Sequence, residues 1–223
     1  MIEMDDIFSS PDKRVAVWTE AASDTNDLAM MCEHVVSNNV SLISVPPEAI
    51  SDVWTYLEKK EVKILTRYQV DSASKSIDSD MYELGAKITS ACKNGANGVQ
   101  IFIKMRDFEV FLDGLRVVRD DLFFGRDLCI AMDTEDLDIN NLDSIFQKLR
   151  DIRADSFVLT LNEDAGNRSD FVGRVYALLQ QFNFEGELHF ILGNNFDRID
   201  QVIRLTECMR PELADRLRFF LDY

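Results

Sequence analysis

The sequence has no lysine after Lys148, no C-x-x-C pair, no G-x-S-x-G elbow and no glycine in "WTEAASDT", the stretch following its first apolar segment. Each absence excludes something. Without a side-chain amine in residues 149–223, that part of the chain cannot form an imine through lysine. Without the elbow, an α/β-hydrolase serine is excluded. A doubly wound nucleotide-binding sheet would place a glycine-rich phosphate turn where "WTEAASDT" stands. The four cysteines, Cys32, Cys92, Cys129 and Cys208, are far apart. They read as buried free thiols of a reducing compartment rather than as a metal set. The two histidines, His34 and His189, lie in no ligand motif and read as core or boundary residues. Positive charge is also scarce: Lys+Arg 24 against Asp+Glu 40 gives a net charge of -16, which argues against nucleic-acid backbones and anionic membranes as partners. No apolar run approaches the roughly 20 residues of a membrane-spanning helix. The first residues, MIEMDDIFSSPDKR, lack the basic and apolar regions of a signal peptide, so a cytoplasmic location is expected.

Short apolar stretches alternate with amphipathic ones along the whole chain. Strands are predicted at 15–19, 40–45, 62–68, 98–104, 128–133, 156–161, 187–192 and 216–221. Helices are predicted between them, where apolar residues recur at helical spacing, as Leu28, Met31, Cys32 and Val35 do. Eight strands joined by helices mean parallel pairing with right-handed crossovers and predict a (β/α)₈ TIM barrel. Residues 1–223 read as one domain with an N-terminal extension over 1–13. A helix after the eighth strand is missing from this pattern. That predicts an uncovered apolar face on strands 8 and 1, to be covered by Ile2, Ile7 and Phe8 or by a second copy in a homodimer.

Several stretches resemble the deoxyribose-phosphate aldolase (DeoC-like) family of class I aldolases. They are "TNDLAMMCEHVVSNNVSLISVPPEAI", "GANGVQIFI", "IAMDTEDL", "RADSF" and "ADRLRF", and each stands at its matching strand. The resemblance implies an aldolase-type barrel. In that family a lysine on strand 6 forms a Schiff base with a carbonyl substrate, a lysine on strand 7 depresses its pKa, and a strand-4 aspartate moves protons. Glycine-rich turns after strands 7 and 8 hold a phosphate. Here the strand-6 lysine falls on Val158 or Leu159 and the strand-7 lysine near His189 or Phe190. The strand-4 aspartate falls on Gln100, and a strand-5 lysine on Cys129. "GNN" at 193–195 keeps one glycine, and "RLRFFLDY" keeps none. The resemblance therefore implies the family's fold without its ordinary activity: a non-catalytic or small-ligand-binding protein, whose ligand would be a carbonyl compound or a sugar, with no cofactor.

Barrels of this type do their chemistry at the C-terminal strand ends. The pocket candidates there are Glu20, Arg67, Gln100, Asn162, Gly193 and Asn194, with Glu163, Asp164 and Asp222 beside them. An alternative keeps a carbon–carbon lyase alive. Gln100, Phe102 and Lys104 share one strand face, so Lys104 becomes a candidate relocated nucleophile with Asp133 as proton carrier. Asp133, Glu135, Asp136 and Asp164 could instead supply oxygen ligands to Mg²⁺ or Mn²⁺. A pocket plugged by Phe190, Phe219 or Phe220 would favour a non-catalytic role.

Overall fold

The computed structural model describes residues 14–19, 25–70, 77–122, 125–134, 137–160 and 168–223. Eight parallel strands close into one barrel in sequential order: β1 (Val15–Trp18), β2 (Leu42–Val45), β3 (Lys63–Gln69), β4 (Gly98–Phe102), β5 (Asp127–Asp133), β6 (Ser156–Thr160), β7 (Glu187–Ile191) and β8 (Leu217–Asp222). Between successive strands run α1 (Thr25–Ser37), α2 (Ile50–Leu57), α3 (Ile77–Lys93), α4 (Phe108–Asp121), α5 (Leu142–Asp151), α6 (Arg168–Gln181) and α7 (Phe196–Met209). The barrel closes where Val15–Trp18 pairs with Phe219–Asp222.

The predicted (β/α)₈ architecture holds; the boundaries shift where turns intervene. A 3₁₀ turn at Pro47–Ala49 precedes α2, because proline at a first-turn position needs no backbone donor. β4 stops at Phe102, and Lys104 belongs to the connection that leads into the 3₁₀ turn Met105–Asp107. The chain turns out of α3 at Gly95, two residues past the helix end, with a φ of 116° that is accessible to glycine and strained for other residues.

Parallel strands bury both faces, and two separate apolar sets result. Outward side chains join the helices in one large cluster, in which Phe146 packs edge-on against Phe157 and Phe182. Inward side chains form a smaller one of Ala16, Trp18, Leu42, Leu65, Cys129, Ala131, Val158 and Phe220, with Phe102 and Ile191 against it. Gly98 faces inward too. A Cβ there would stand 2.4 Å from the Asp127 carbonyl oxygen, its register partner on β5, so β4 and β5 can approach only without a side chain at this position.

One expectation needs refinement and one correction. The outward residues of the closing strands, Val17, Leu217, Phe219 and Leu221, are buried within the single chain. They share a cluster with Leu28 and Met31 of α1 and Ile199 and Val202 of α7, so these side chains are covered without a second copy; Ile2, Ile7 and Phe8, the expected cover from the N-terminal extension, lie outside the described residues. Cys32, Cys92 and Cys129 are buried as expected, but Cys208 is exposed: it lies on the solvent side of α7, where a thiol needs no packing partner.

Candidate functional site

Side chains alternate along each strand, so the register fixes what lines the barrel. Towards the C-terminal mouth the inward positions are Trp18, Ser44, Arg67, Gln100, Phe102, Ala131, Asp133, Val158, Thr160, Ile191, Phe220 and Asp222. Trp18 is the centre of this layer. Its ring lies edge-on to Phe102 (5.7 Å) and Phe220 (6.2 Å). The Arg67 guanidinium stacks 3.9 Å from its centroid and donates to the Thr19 carbonyl. Cation, ring and backbone acceptor hold one another, and the aromatic rings pack across the upper part of the inward layer. Below them Gln100 is fully buried and accepts a 2.6 Å hydrogen bond from the Ser44 hydroxyl on its Oε1.

The inward-facing wall on β6 is Ser156, Val158 and Thr160, and on β7 it is Glu187, His189 and Ile191. Of the Val158/Leu159 pair, Val158 faces the interior and Leu159 the helices; of His189/Phe190, His189 faces inward. Phe190 stacks on Phe219 between barrel and helices (5.7 Å, 16°), so of the three candidate plugs only Phe220 enters the barrel. No inward position of β6, β7 or β8 carries an amine of lysine.

The remaining candidates take different positions. Lys104, half-buried, follows β4; Asp133 ends β5. Phe102 pairs with Ala131 and the Ile103 amide donates to the Ala131 carbonyl at 2.9 Å, so Lys104 and Asp133 leave neighbouring strands at the same level. Gly193 turns the chain after β7 with φ of 58°. The Asn194 side-chain amide donates to the Asp222 carbonyl (3.2 Å), and its oxygen accepts from the Asp222 amide (3.1 Å). That reciprocal pair ties the β7–α7 turn to β8 and occupies the side chain expected to meet a ligand. Glu20, Asn162, Glu163, Asp164, Glu135 and Asp136 lie outside the described residues. Among the described residues no three His, Cys, Asp or Glu groups stand close enough to share a metal ion.

The opposite, N-terminal mouth holds a feature the sequence reading passed over. The first inward residues of β3, β5, β7 and β8 are Lys63, Asp127, Glu187 and Arg218, and they frame a cavity of about 310 Å³ that reaches His189, Cys129 and Ser156. Lys63 Nζ stands 2.7 Å from Asp127 Oδ2, and Arg218 donates to Glu187 Oε1 at 2.8 Å. His189 Nε2 is 2.9 Å from Glu187 Oε2, yet burial outweighs the carboxylate and pushes the imidazole pKa below its ordinary value. The contact is thus a hydrogen bond that the neutral ring donates from Nε2 to the carboxylate. Burial alone would raise the Glu187 carboxyl; the His189 hydrogen bond and the charges of Arg218 and Lys63 hold it below its usual range. The Cys129 thiol is pushed far up by burial and is no nucleophile. Strict alternation made these residues findable: each charge sits two positions before an inward apolar or polar residue.

No protein-family model and no curated protein matches this sequence. Solved structures do match in fold. A deoxyribose phosphate aldolase from Aeropyrum pernix, described as tetrameric, superposes with a TM-score of 0.69 over 98% of this chain and 93% of its own at 12% identity. QR15, described as an aldolase, gives 0.68 over 94% and 90% at 10% identity. A phosphoenolpyruvate phosphomutase from Streptomyces platensis subsp. rosaceus gives 0.63 over 98% and 78% at 10% identity. The chain is therefore similar in fold to aldolases and to a barrel named for different chemistry, and fold alone does not choose among them.

Proposed function

We propose that this chain is an aldolase-type barrel that has lost Schiff-base chemistry and serves as a non-catalytic, small-ligand-binding protein. One observation carries the reading. The inward wall of β6 and β7, where the resembling family keeps its two lysines, is Ser156, Val158, Thr160, Glu187, His189 and Ile191. A valine has no nitrogen, and no environment supplies one. The edge-on packing of Trp18 with Phe102 and Phe220 supports the same reading, since it makes the inward layer at this end largely apolar. The inward polar positions Arg67, Asp133 and Thr160 at this end are the kind of groups that would orient a carbonyl or sugar ligand. The test is release of acetaldehyde from deoxyribose 5-phosphate, followed by a coupled dehydrogenase. The expected rate is that of a no-protein control; turnover of about 1 s⁻¹, ordinary for enzymes, overturns the proposal.

A second reading has its own observation. Lys104, two residues beyond β4, stands at the level of Asp133 at the end of β5, as an amine and a proton carrier must for a relocated aldolase site. Borohydride reduction in the presence of candidate aldehydes, read by peptide mass spectrometry, separates the two: an adduct at Lys104 establishes the lyase, and its absence removes it.

A further inference from the structure

Asparagine followed by glycine occurs twice in this chain, at Asn94–Gly95 and Asn97–Gly98, within the stretch "NGANG". The dipeptide has a chemistry of its own. Glycine has no Cβ to shield its backbone nitrogen, so that nitrogen can attack the side-chain carbonyl carbon of the preceding asparagine. Here two identical dipeptides stand three residues apart, and the fold treats them differently.

Asn97–Gly98 is held on several sides. The Asn97 side-chain oxygen accepts from the Ile64 amide at 2.8 Å. The Asn97 amide donates to the Ile64 carbonyl at 2.7 Å, and its own carbonyl accepts from the Asp127 amide at 3.0 Å. Gly98 is buried at the start of β4 and wedged against the Asp127 backbone. The Asn97 side chain cannot turn towards the Gly98 nitrogen without giving up these bonds.

Asn94–Gly95 lies in the turn between α3 and β4, and Asn94 is exposed. Among the described residues the Asn94 side chain enters no hydrogen bond. The Asn94 amide stays tied to the carbonyls of Ser90 and Ala91 at 3.0 and 3.1 Å, but the Gly95 amide reaches the Cys92 carbonyl only at 3.3 Å, beyond the ordinary range for such a bond. The attacking nitrogen is therefore the most weakly held donor of the turn, and the group it attacks is solvated and rotates without loss.

We propose that Asn94 is a site of spontaneous covalent modification, closing on the Gly95 nitrogen and losing its amide. Solvent base takes the Gly95 amide proton. The bond from Gly95 N to Asn94 Cγ forms, the Cγ–Nδ2 bond breaks, and the side-chain nitrogen takes a proton and leaves as ammonia. Water then opens the five-membered imide at either carbonyl, giving aspartate or isoaspartate; nothing is oxidised or reduced. Both products place a new negative charge beside the C-terminal end of α3, where the helix dipole disfavours it. The isoaspartate also lengthens the main chain by one carbon. Gly95 has no slack for that, since even a Cβ there would stand 2.6 Å from the Trp54 ring of α2. The modification thus loosens the α3–β4 turn in aged protein. It lies away from Trp18 and Lys104, so it stands or falls independently of the aldolase question.

The full chain is kept below its unfolding transition in mildly alkaline buffer, beside a second sample in urea. Both are followed over time by peptide mass spectrometry with fragmentation that separates aspartate from isoaspartate. In the folded protein, products at Asn94 are expected to form about tenfold or more faster than at Asn97, because hydrogen bonds of ordinary strength protect the second site. In urea the two rates are expected to converge. The aged native sample should gain a lower-melting population that Asn94→Gln, which would have to close a six-membered ring, does not develop. Equal rates in the folded protein, a faster Asn97, or an intact Asn94 after the urea sample has converted both sites overturns the proposal. An unchanged melt in protein converted at Asn94 overturns the loosening.

Discussion

Placing a lysine back at residue 158 puts the reading of the barrel interior under direct load. Val158 is fully buried and surrounded by Ala131, Cys129, Phe220 and their neighbours. In Val158→Lys the amine would enter a dry wall, where a lysine titrates near pH 5–6 rather than about 10.4. At pH 7 the folded state must hold it neutral, which costs about 4.6 kcal/mol at about 1.4 kcal/mol per pH unit. The sign follows from a depressed folded pKa: the unfolded chain binds the extra proton, so the penalty is full at low pH and shrinks as pH rises towards 10.4. At pH 9 it is about 1.9 kcal/mol by the same slope. Because a whole domain is stable by about 5–15 kcal/mol, the variant is expected to be marginal at pH 7 and substantially recovered at pH 9. Urea unfolding at pH 7, 8 and 9 measures this. A cost below about 1 kcal/mol, or one that ignores pH, refutes the reasoning, because it means that water already reaches residue 158.

Three other expectations follow from the same contacts. In the native protein a thiol reagent is expected to label Cys208 alone, since Cys32, Cys92 and Cys129 are buried and burial pushes the Cys32 pKa up to about 11; in denaturant all four should react. Acid should erode stability in two windows. His189, held below its ordinary 6.5 by burial, stays neutral while the unfolded chain takes a proton, so stability falls as pH drops below about 6.5. Glu187, held below 4.5 despite burial, adds a further loss below that value; His189→Gln should remove the first window and, by taking away the imidazole that helps hold Glu187 low, shrink the second, measured by thermal melts from pH 8 to 3. Gly98→Ala forces a Cβ against the Asp127 carbonyl and should cost about 1–3 kcal/mol of overpacking, with no comparable loss in Gly173→Ala, where nothing stands within 4 Å.

How far the sequence could be read depended on what each signal encodes. The barrel was legible because short apolar strands and amphipathic helices alternate along the chain, and sequential parallel strands have few ways to close. The direction of the β6 side chains was not. In "SFVLT" both faces are buried, so Val158 and Leu159 look equally apolar and only the register of Val158 with Ala131 and His189 separates them. Lys104 was placed on β4 because Ile103 continues the apolar run, and the turn at Met105–Asp107 has no proline or glycine to announce it. The covering of β8 was hidden for another reason: which helices reach Phe219 and Leu221 is a property of packing across the barrel, beyond any local pattern. The N-terminal cavity was missed through a rule of the fold, since attention to C-terminal strand ends passes over Lys63, Asp127, Glu187 and Arg218.

The most direct measurement is the intact mass of the protein after borohydride reduction with saturating deoxyribose 5-phosphate. A barrel with no reactive amine on its inward wall keeps its unmodified mass. A stoichiometric, saturable adduct of one reduced sugar phosphate contradicts the account.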